Sequence, residues 1–233
     1  YIKSVDPQVL LVKEAKPLPV EVIVRKYITG SLWRDYENSK HHVYDLDFGD
    51  NLVKNQKFDS AILTPSTKEE YGKHDMPISK KEIINQKLVD KDIYELAEKY
   101  ALQLFAEGEK WAQQQGLILV DTKYEFGLVD GELIVIDEIH TPDSSRYWIA
   151  DEYEARFQNG DDQLMLDKEN IRQWLISKGF SGEGTPPELD QDIRVLLSEK
   201  YIELYKILTG QDFNPSIGDV SNRIQTNLKN AGF

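Results

Sequence analysis

The sequence predicts an α+β fold, in which antiparallel strands pair in hairpins and helices pack against them. Three observations predict it. A long stretch after Asp90 keeps its apolar residues at helical three-and-four spacing, the next stretch changes to a period of two, and two further helical stretches follow. No internal repeat and no low-complexity tract interrupts this order.

The first segment predicts two short strands, Val9 to Val12 and Val20 to Val24. Residues 16–19, Lys-Pro-Leu-Pro, lie between them and are expected to be extended and unpaired, because proline has no amide hydrogen to donate. Residues 37–79 lack sustained periodicity and are rich in polar residues. A stretch of that length without elements predicts a loop insertion or a functional lid.

Two helices are predicted next. Ser79 with Glu82 forms a capping-box pattern, so a helix is expected to begin there. The second helix is expected to begin at Asp90, which suits the N-cap, and to end at Gly116. It is amphipathic and roughly 37 Å long at 1.5 Å per residue, which makes it core scaffold.

The stretch with a period of two predicts a hairpin. Its strands are Leu117 to Gly127 and Glu132 to Ile139, joined around Val129-Asp130-Gly131. A two-residue Asp-Gly turn would place Glu138 opposite Lys123, whereas a three-residue loop would place Asp137 there. In either register, carboxylates collect around a lysine.

The later part of the chain predicts two more helices, about Asp167 to Lys178 and about Leu189 to Leu208. A loop rich in glycine and proline, Gly179 to Pro187, separates them, and Gly210 lies just beyond the second. The tail after Gln211 is polar, and its last residues are expected to be poorly ordered.

Composition excludes several classes of protein. The 233 residues include 28 Lys plus Arg against 41 Asp plus Glu, giving a net charge of -13. A general nucleic-acid binder needs the opposite sign, because neutralisation of phosphates supplies most of its affinity. The absence of cysteine excludes disulfides, thiolate zinc sites and a cysteine nucleophile. No apolar run approaches the roughly 18 residues that cross a bilayer.

The first strand of the hairpin carries the most informative pattern. Asp121, Lys123 and Glu125 share one strand face because side chains alternate along a strand. Ionisable groups beside a buried strand are costly unless water, a metal or a ligand pairs them. Carboxylates of this kind suit Mg²⁺, which binds one or two of them together with substrate phosphates. The alternative is a surface hairpin whose charged face meets solvent.

Three other segments combine cations with hydroxyls or glycine, as sites for phosphates and carboxylates do. They are residues 24–31, residues 64–68 with 72–75, and residues 141–146. In the last of these, Arg146 can form a bidentate fork. The alternatives are a solvated cationic strand end and a serine-rich turn with a surface arginine.

Together these segments resemble the phosphoribosylaminoimidazole-succinocarboxamide synthase (SAICAR synthetase) family. The matching motifs occur in family order between about Leu11 and about Gly210: residues 21–31, 64–68 with Gly72 and His74-Asp75, 121–127, 136–138 and 141–146. The resemblance implies a ligase of purine biosynthesis that joins L-aspartate to the carboxylate of carboxyaminoimidazole ribonucleotide (CAIR). ATP would be consumed, with Mg²⁺ as cofactor, and an acyl phosphate would form on the way.

The resemblance also implies roles for individual residues. Asp121 and Lys123 would face the reacting carboxylate, and Glu125 and Asp137 would hold Mg²⁺ and the nucleotide. The substrate, its phosphate or its carboxylate would be bound by Arg25, Ser31, Ser145 and Arg146, and Arg172 matches a further substrate-binding arginine of the family. Lys68, His74 and Asp75 would lie on a loop near the aspartate or substrate side. Leu11, Val12, Lys13 and Glu21 would lie near the nucleotide.

The implied fold has two α+β lobes with ATP in the cleft, similar in outline to protein kinases and ATP-grasp enzymes. Residues 1–20 would be the end of the N-terminal lobe and the hinge, residues 21–210 the catalytic domain and residues 211–233 a tail. Because the sequence begins at Tyr1, after the family's glycine-rich segment, residues 1–233 alone are expected not to turn over ATP at the family's rate.

The family implies ATP, CAIR and L-aspartate as partners, possible self-association, and a cytoplasmic location without nucleic acid or membrane. Two alternatives stay open at this point. One is another ATP-dependent phosphotransferase on a kinase-like scaffold, and the other is an inactive module that only binds nucleotide.

Overall fold

A six-stranded antiparallel sheet covered by a long helix forms the centre of the protein, as seen in a computed structural model. The structure describes residues 1–69, 74–166, 169–180 and 184–233. Within them, the strands are β1 (Lys3–Asp6), β2 (Val9–Leu11), β3 (Lys16–Tyr27), β4 (Lys57–Leu63), β5 (Ser66–Thr67), β6 (Leu117–Val129), β7 (Glu132–Ile136) and β8 (Ser145–Ile149). The helices are α1 (Gly30–Glu37), α2 (Lys80–Asn85), α3 (Lys91–Gln114), α4 (Ala150–Asn159), α5 (Glu169–Ser177), α6 (Gln191–Thr209) and α7 (Val220–Asn230), with a 3-10 helix at His41–Tyr44.

The long strands β3 and β6 lie side by side in the middle of the sheet. The order β4-β3-β6-β7 is extended by β5 beside β3 and by β8 beside β6, while β1 and β2 form a separate hairpin. The main core lies between this sheet and α3, whose buried side chains include Tyr94 and Phe105. Burial of apolar surface there fixes which sheet face turns inward, and the predicted α+β class is confirmed.

The expectation that residues 16–19 are unpaired is wrong. Strand β3 begins at Lys16, and Pro17 lies opposite Gly127 of β6. Proline removes one donor but keeps its carbonyl, and the Pro19 carbonyl accepts a hydrogen bond from the Lys68 amide at 3.0 Å. The loss of donors is absorbed by an irregularity in the β3–β6 register between Pro17 and Glu21.

Residues 37–79 are not a structureless insertion. They contain the 3-10 helix and the strands β4 and β5, both paired to β3. The apolar side chains of Phe58 and Ile62 pack with Ile28 and Leu32, which explains why a segment rich in polar residues is held to the sheet. Residues 70–73, including Gly72, lie outside the described residues.

The predicted helices after residue 79 are confirmed within the described residues. Ser79 caps α2 by accepting from the Glu82 amide, Asp90 caps α3, and Gly116 adopts the left-handed conformation expected of a helix stop. Helices α5 and α6 fall inside the predicted ranges to within a residue, with residues 167 and 168 outside the described part. Helices α1 and α4 were not predicted, because neither carries a sustained apolar stripe.

The hairpin turn has two residues. Val129 lies opposite Glu132, and Asp130 and Gly131 both have positive φ, at 52° and 85°, as the tight turn between twisted strands requires. If the strand continued in that register, Glu138 would lie opposite Lys123. Strand β7 ends at Ile136 instead, and the backbone leaves the strand at Asp137, which has φ 64°. Asp137 is therefore the acid whose carboxylate comes near Lys123.

The expectation of a poorly ordered tail is wrong for residues 220–230, which form α7 against β1. Polar contacts anchor α7 to the end of β1. The Arg223 guanidinium and the Asn227 amide donate to the fully buried carboxylate of Asp6, with Arg223 Nε 3.0 Å from Oδ2. The hydrogen bond from Arg223 lowers the pKa of Asp6. None of the described helices is long and apolar enough to span a membrane.

Candidate active site

The functional side chains lie on one face of the paired strands β3 and β6. Their register sets Glu21 opposite Glu125 and Arg25 opposite Asp121, with Ile23 opposite Lys123 between them. Because side chains two apart share a face, a row of charged groups follows the centre of the sheet. The predicted common face of Asp121, Lys123 and Glu125 is confirmed.

At one end of this row, Asp121 joins two arginines. Its Oδ2 accepts from Nη1 of Arg25 at 2.9 Å and from Nη1 of Arg146 at 2.7 Å. Arg146 comes from β8, directly opposite Asp121 in the sheet. We call Arg25, Asp121 and Arg146 the arginine cluster. All three side chains are nearly buried, at 6–11% exposed, so their pairing is little weakened by water.

The arginine cluster depends on a glycine at the start of α1. Gly30 has φ 57°, and a Cβ placed on it would lie 2.4 Å from Nη2 of Arg146. The absence of a side chain thus lets the guanidinium lie directly over the beginning of the helix. Ser31, the next residue, accepts from Nη2 of Arg25 at 3.1 Å.

At the other end of the row, Lys123 gathers three carboxylates. Its Nζ lies 2.5 Å from Glu125 Oε1, 3.1 Å from Glu21 Oε1 and 3.6 Å from Asp137 Oδ2. Lys68, from the segment after β5, also pairs with Glu125. We call these five residues the acid–lysine cluster. Three carboxylates against two ammonium groups leave it with a formal negative charge.

The titration behaviour of the acid–lysine cluster follows from these contacts. Burial opposes the charged form of Glu125, but hydrogen bonds from Lys123 and Lys68 outweigh it and lower the pKa of that carboxyl. Burial raises the pKa of Glu21, and the nearby charges of Asp75 and Glu125 add to this. Burial also opposes the charged form of Lys123, yet its acidic partners raise its pKa, so the ammonium stays protonated.

The arginine cluster and Lys123 of the acid–lysine cluster line a cleft of about 210 Å³. Seven of the predicted site residues line it: Arg25, Ser31, Asp121, Lys123, Ser145, Arg146 and Arg172. Arg172 lies on α5, so this helix, which is distant in sequence from β3, forms one side of the cleft. A larger cavity of about 370 Å³ adjoins the cleft and shares Arg146 with it.

The other predicted residues are not among those that line this cleft. Glu21 and Lys68 belong to the acid–lysine cluster, whereas His74 is exposed and the exposed Asp75 accepts from the Glu69 amide at 2.8 Å. Leu11, Val12 and Lys13 follow or end β2, outside the main sheet. Two residues after Lys13, Ala15 lies close to Gly127 of β6. A Cβ added to Gly127 would lie 3.1 Å from Ala15 and 3.2 Å from Ile136, the residue before Asp137.

Sequence reasoning assigned no role to several residues that build the site. Thr64 accepts from Nε of Arg25 at 2.7 Å, and Thr122 pairs with Ser145 through hydroxyls 2.7 Å apart. Ser144 also lines the cleft, and its carbonyl accepts from the Lys123 amide at 3.0 Å. Thr64 and Ser144 lie inside the recognised motifs, but only the register of the sheet tells which hydroxyls face an arginine.

Fold and site together define a class of protein. An arginine cluster beside carboxylates and lysines, on a central antiparallel sheet, is suited to enzymes that hold an anionic substrate next to a nucleotide. Such enzymes work mainly by positioning and by stabilising spreading negative charge.

Comparison with known proteins identifies the family within this class. A sequence profile described as SAICAR synthetase matches residues 1–187. Phosphoribosylaminoimidazole-succinocarboxamide synthase of Bacteroides thetaiotaomicron is 43% identical over 228 residues, covering 97% of this chain and 73% of that protein. The chain belongs to the SAICAR synthetase family, and the family predicted from its motifs is confirmed.

Other relatives agree. The synthase of Legionella pneumophila (strain Lens) is 42% identical over 235 residues, covering 96% of this chain and 74% of that protein. The solved SAICAR synthase of Saccharomyces cerevisiae, described as complexed with SAICAR, superposes with a TM-score of 0.71 at 36% identity. The match covers 87% of this chain and 64% of the yeast chain. The family's members are ATP-dependent ligases of purine biosynthesis, as the resemblance implied.

Proposed function

We propose that this chain carries the active site that joins L-aspartate to the carboxylate of CAIR, forming SAICAR, ADP and phosphate. The observation that carries the proposal is a cleft lined by the arginine cluster and by Lys123, the central cation of the acid–lysine cluster. The yeast relative, whose structure is described as a SAICAR complex, supports the choice of substrate.

The arginine cluster suits the phosphate of CAIR. Arg25, Arg146 and Arg172 offer planar guanidinium groups, and Ser31 and Ser145 offer hydroxyl donors in the same cleft. Without substrate, Asp121 pairs with the first two arginines. The carboxylate thus holds both cations in place, where an incoming dianion can compete for them.

The acid–lysine cluster suits Mg²⁺ and the nucleotide. Its donors are hard carboxylate oxygens, and its formal negative charge favours a divalent cation. No group of three or more His, Cys, Asp or Glu in the described part of the chain could hold a metal by protein ligands alone. A site with two ligands, Glu125 and Asp137, leaves the remaining positions to phosphates and water, the usual arrangement for Mg²⁺.

The chemistry proceeds in two steps. An oxygen of the CAIR carboxylate attacks the γ-phosphorus of ATP, and ADP leaves with the electrons of the broken P–O bond. The aspartate amine then attacks the carbonyl carbon of the acyl phosphate, the C–N bond forms, phosphate leaves and the nitrogen loses a proton. Bound Mg²⁺ would neutralise charge on the transferring phosphoryl group. Lys123 and Asp121 would face the reacting carboxylate, Lys123 as a fixed cation beside the forming acyl phosphate.

Further assignments complete the proposal. Leu11, Val12 and Lys13 would lie against adenine with Glu21 near the nucleotide, and Lys68, His74 and Asp75 would lie toward aspartate. The whole would resemble protein kinases and ATP-grasp enzymes in outline, with ATP between two lobes. A purine ligase of this kind would act in the cytoplasm, and self-association would be compatible with the site.

Ligand-induced stabilisation tests the proposal. A ligand that binds only the folded state raises the thermal midpoint by mass action. We expect shifts with CAIR and with Mg-ATP, and loss of the CAIR shift alone in Arg146→Ala. Arg156→Ala is the matched control, because Arg156 lies on α4 and its Nε pairs with Glu152 at 3.4 Å, away from the cleft. A shift with ATP but none with CAIR would instead favour another phosphotransferase.

A further inference from the structure

Arg25 is held from three sides by three different parts of the chain. Its Nη1 donates to Asp121 of β6 at 2.9 Å, its Nη2 to Ser31 of α1 at 3.1 Å and its Nε to Thr64 at 2.7 Å. Guanidinium has five N–H groups, so these three bonds leave two for a ligand. The guanidinium therefore has a fixed orientation before any ligand arrives.

The three anchors differ in their relation to the cleft. Ser31 and Asp121 line it, so an incoming anion reaches and competes with the bonds that they make. Thr64 is not among the residues that line the cleft and is completely buried, at 0% exposed. The Thr64 hydroxyl therefore accepts from Nε of Arg25 outside the cleft lining, where a ligand in the cleft does not compete for the bond.

Thr64 itself is rigidly placed. It follows β4 directly, its amide donates to the Ile23 carbonyl at 2.9 Å, and the next residue is proline. Proline restricts the preceding residue to extended backbone conformations. The hydroxyl of Thr64 is thus fixed relative to β3, the strand that carries Arg25.

We propose that Thr64 is a positioning residue for substrate binding. Its hydroxyl holds the Arg25 guanidinium aimed into the cleft when the bond to Asp121 is exchanged for a bond to the substrate anion. Thr64 touches no reacting atom and acts only through Arg25. The inference rests on the proposed function, because it takes the anion in the cleft to be CAIR.

Isosteric replacement tests this role. Thr64→Val keeps the shape and removes the acceptor, so Nε of Arg25 loses its partner and the guanidinium keeps only the bonds to Asp121 and Ser31, for which the substrate anion competes. We expect the Kd for CAIR, measured by titration calorimetry, to rise about tenfold or more, and the Kd for Mg-ADP to stay within about twofold. Thr64→Ser keeps the hydroxyl and should bring CAIR binding back to within about threefold of the wild-type protein.

The control and a second variant separate the outcomes. Thr209→Val removes a hydroxyl at the end of α6 that bonds to neighbouring backbone, the Tyr205 carbonyl at 2.7 Å and the Gln211 amide, and should change neither Kd. If Thr64→Val does not fold, Thr64→Ala leaves room for a water at Nε and should show the same selective loss in milder form. Unchanged CAIR binding in the folded variant, or equal loss of CAIR and Mg-ADP binding, would overturn the inference. A wild-type protein that binds no CAIR would instead overturn the proposed function.

Discussion

Replacing Lys123 with methionine removes the cation at the centre of the acid–lysine cluster while keeping an unbranched side chain of similar length. Three carboxylates lose a partner, at 2.5, 3.1 and 3.6 Å from Nζ. Removing one member of a buried ion pair costs about 3–5 kcal/mol, because the remaining charge is left uncompensated.

Two features of the site reduce that figure. The side chain of Asp137 is 48% exposed, so its contribution is largely screened, and Lys123 itself is 29% exposed. Lys68 still pairs with Glu125 in the variant. We therefore expect a loss of about 2–3 kcal/mol in the free energy of unfolding at pH 8, which corresponds to a fall of about 5–10 °C in the thermal midpoint.

Urea unfolding followed by circular dichroism at pH 8 and at pH 5 measures this loss. Glu21 already has a raised pKa, and removal of Lys123 raises it further, so protonation at pH 5 should relieve part of the repulsion. The deficit of the variant should therefore shrink as the pH falls. Lys110→Met is the control, because Lys110 pairs only at the surface with Glu107 and both side chains are mostly exposed. A deficit equal to that of the control, or one that does not depend on pH, would refute the reasoning.

Three further predictions follow, two for the site and one for His140, a partly buried residue whose Nε2 lies 2.6 Å from the Tyr124 hydroxyl. Asp137→Asn should lower Mg²⁺-dependent ADP release at least about 100-fold without shifting the thermal midpoint, since the side chain is half exposed; near-normal turnover would remove Asp137 from the site. Arg146→Lys should raise the Kd for CAIR about tenfold or more, because a point charge cannot replace a planar fork, and unchanged calorimetry would contradict this. Burial lowers the pKa of His140 to about 4, so its neutral form stabilises the fold above pH 6.5 and about 3 kcal/mol should be lost as the pH falls to 4. Equal pH slopes of unfolding in the wild-type protein and His140→Gln would exclude that contribution.

The sequence predicts the parts of the fold that local rules control. Helix α3 has both caps and an unbroken apolar stripe, and the Asp130-Gly131 turn has the residues that a tight hairpin needs. The shared face of Asp121, Lys123 and Glu125 follows from strand periodicity alone. These features need no information from distant residues.

The rest depends on contacts between distant residues. Strand β4 has little pattern of its own and is held by β3 and the apolar cluster around Ile28, while α7 is held by an ion pair across more than 200 positions. The choice of Asp137 over Glu138 depends on a left-handed residue that ends β7, which spacing cannot reveal. Likewise, the contact of Gly30 with Arg146 exists only because α1 begins beside β8.

The proposed function requires that the arginine cluster and the acid–lysine cluster, which Lys123 joins to the cleft, act on one substrate. A crystal structure of the protein with CAIR and Mg-ADP measures this directly. We expect the CAIR phosphate within hydrogen-bond distance of Arg25 and Arg146, and Mg²⁺ bound by Glu125 and Asp137. CAIR bound elsewhere, or Mg²⁺ held without either carboxylate, would contradict the account.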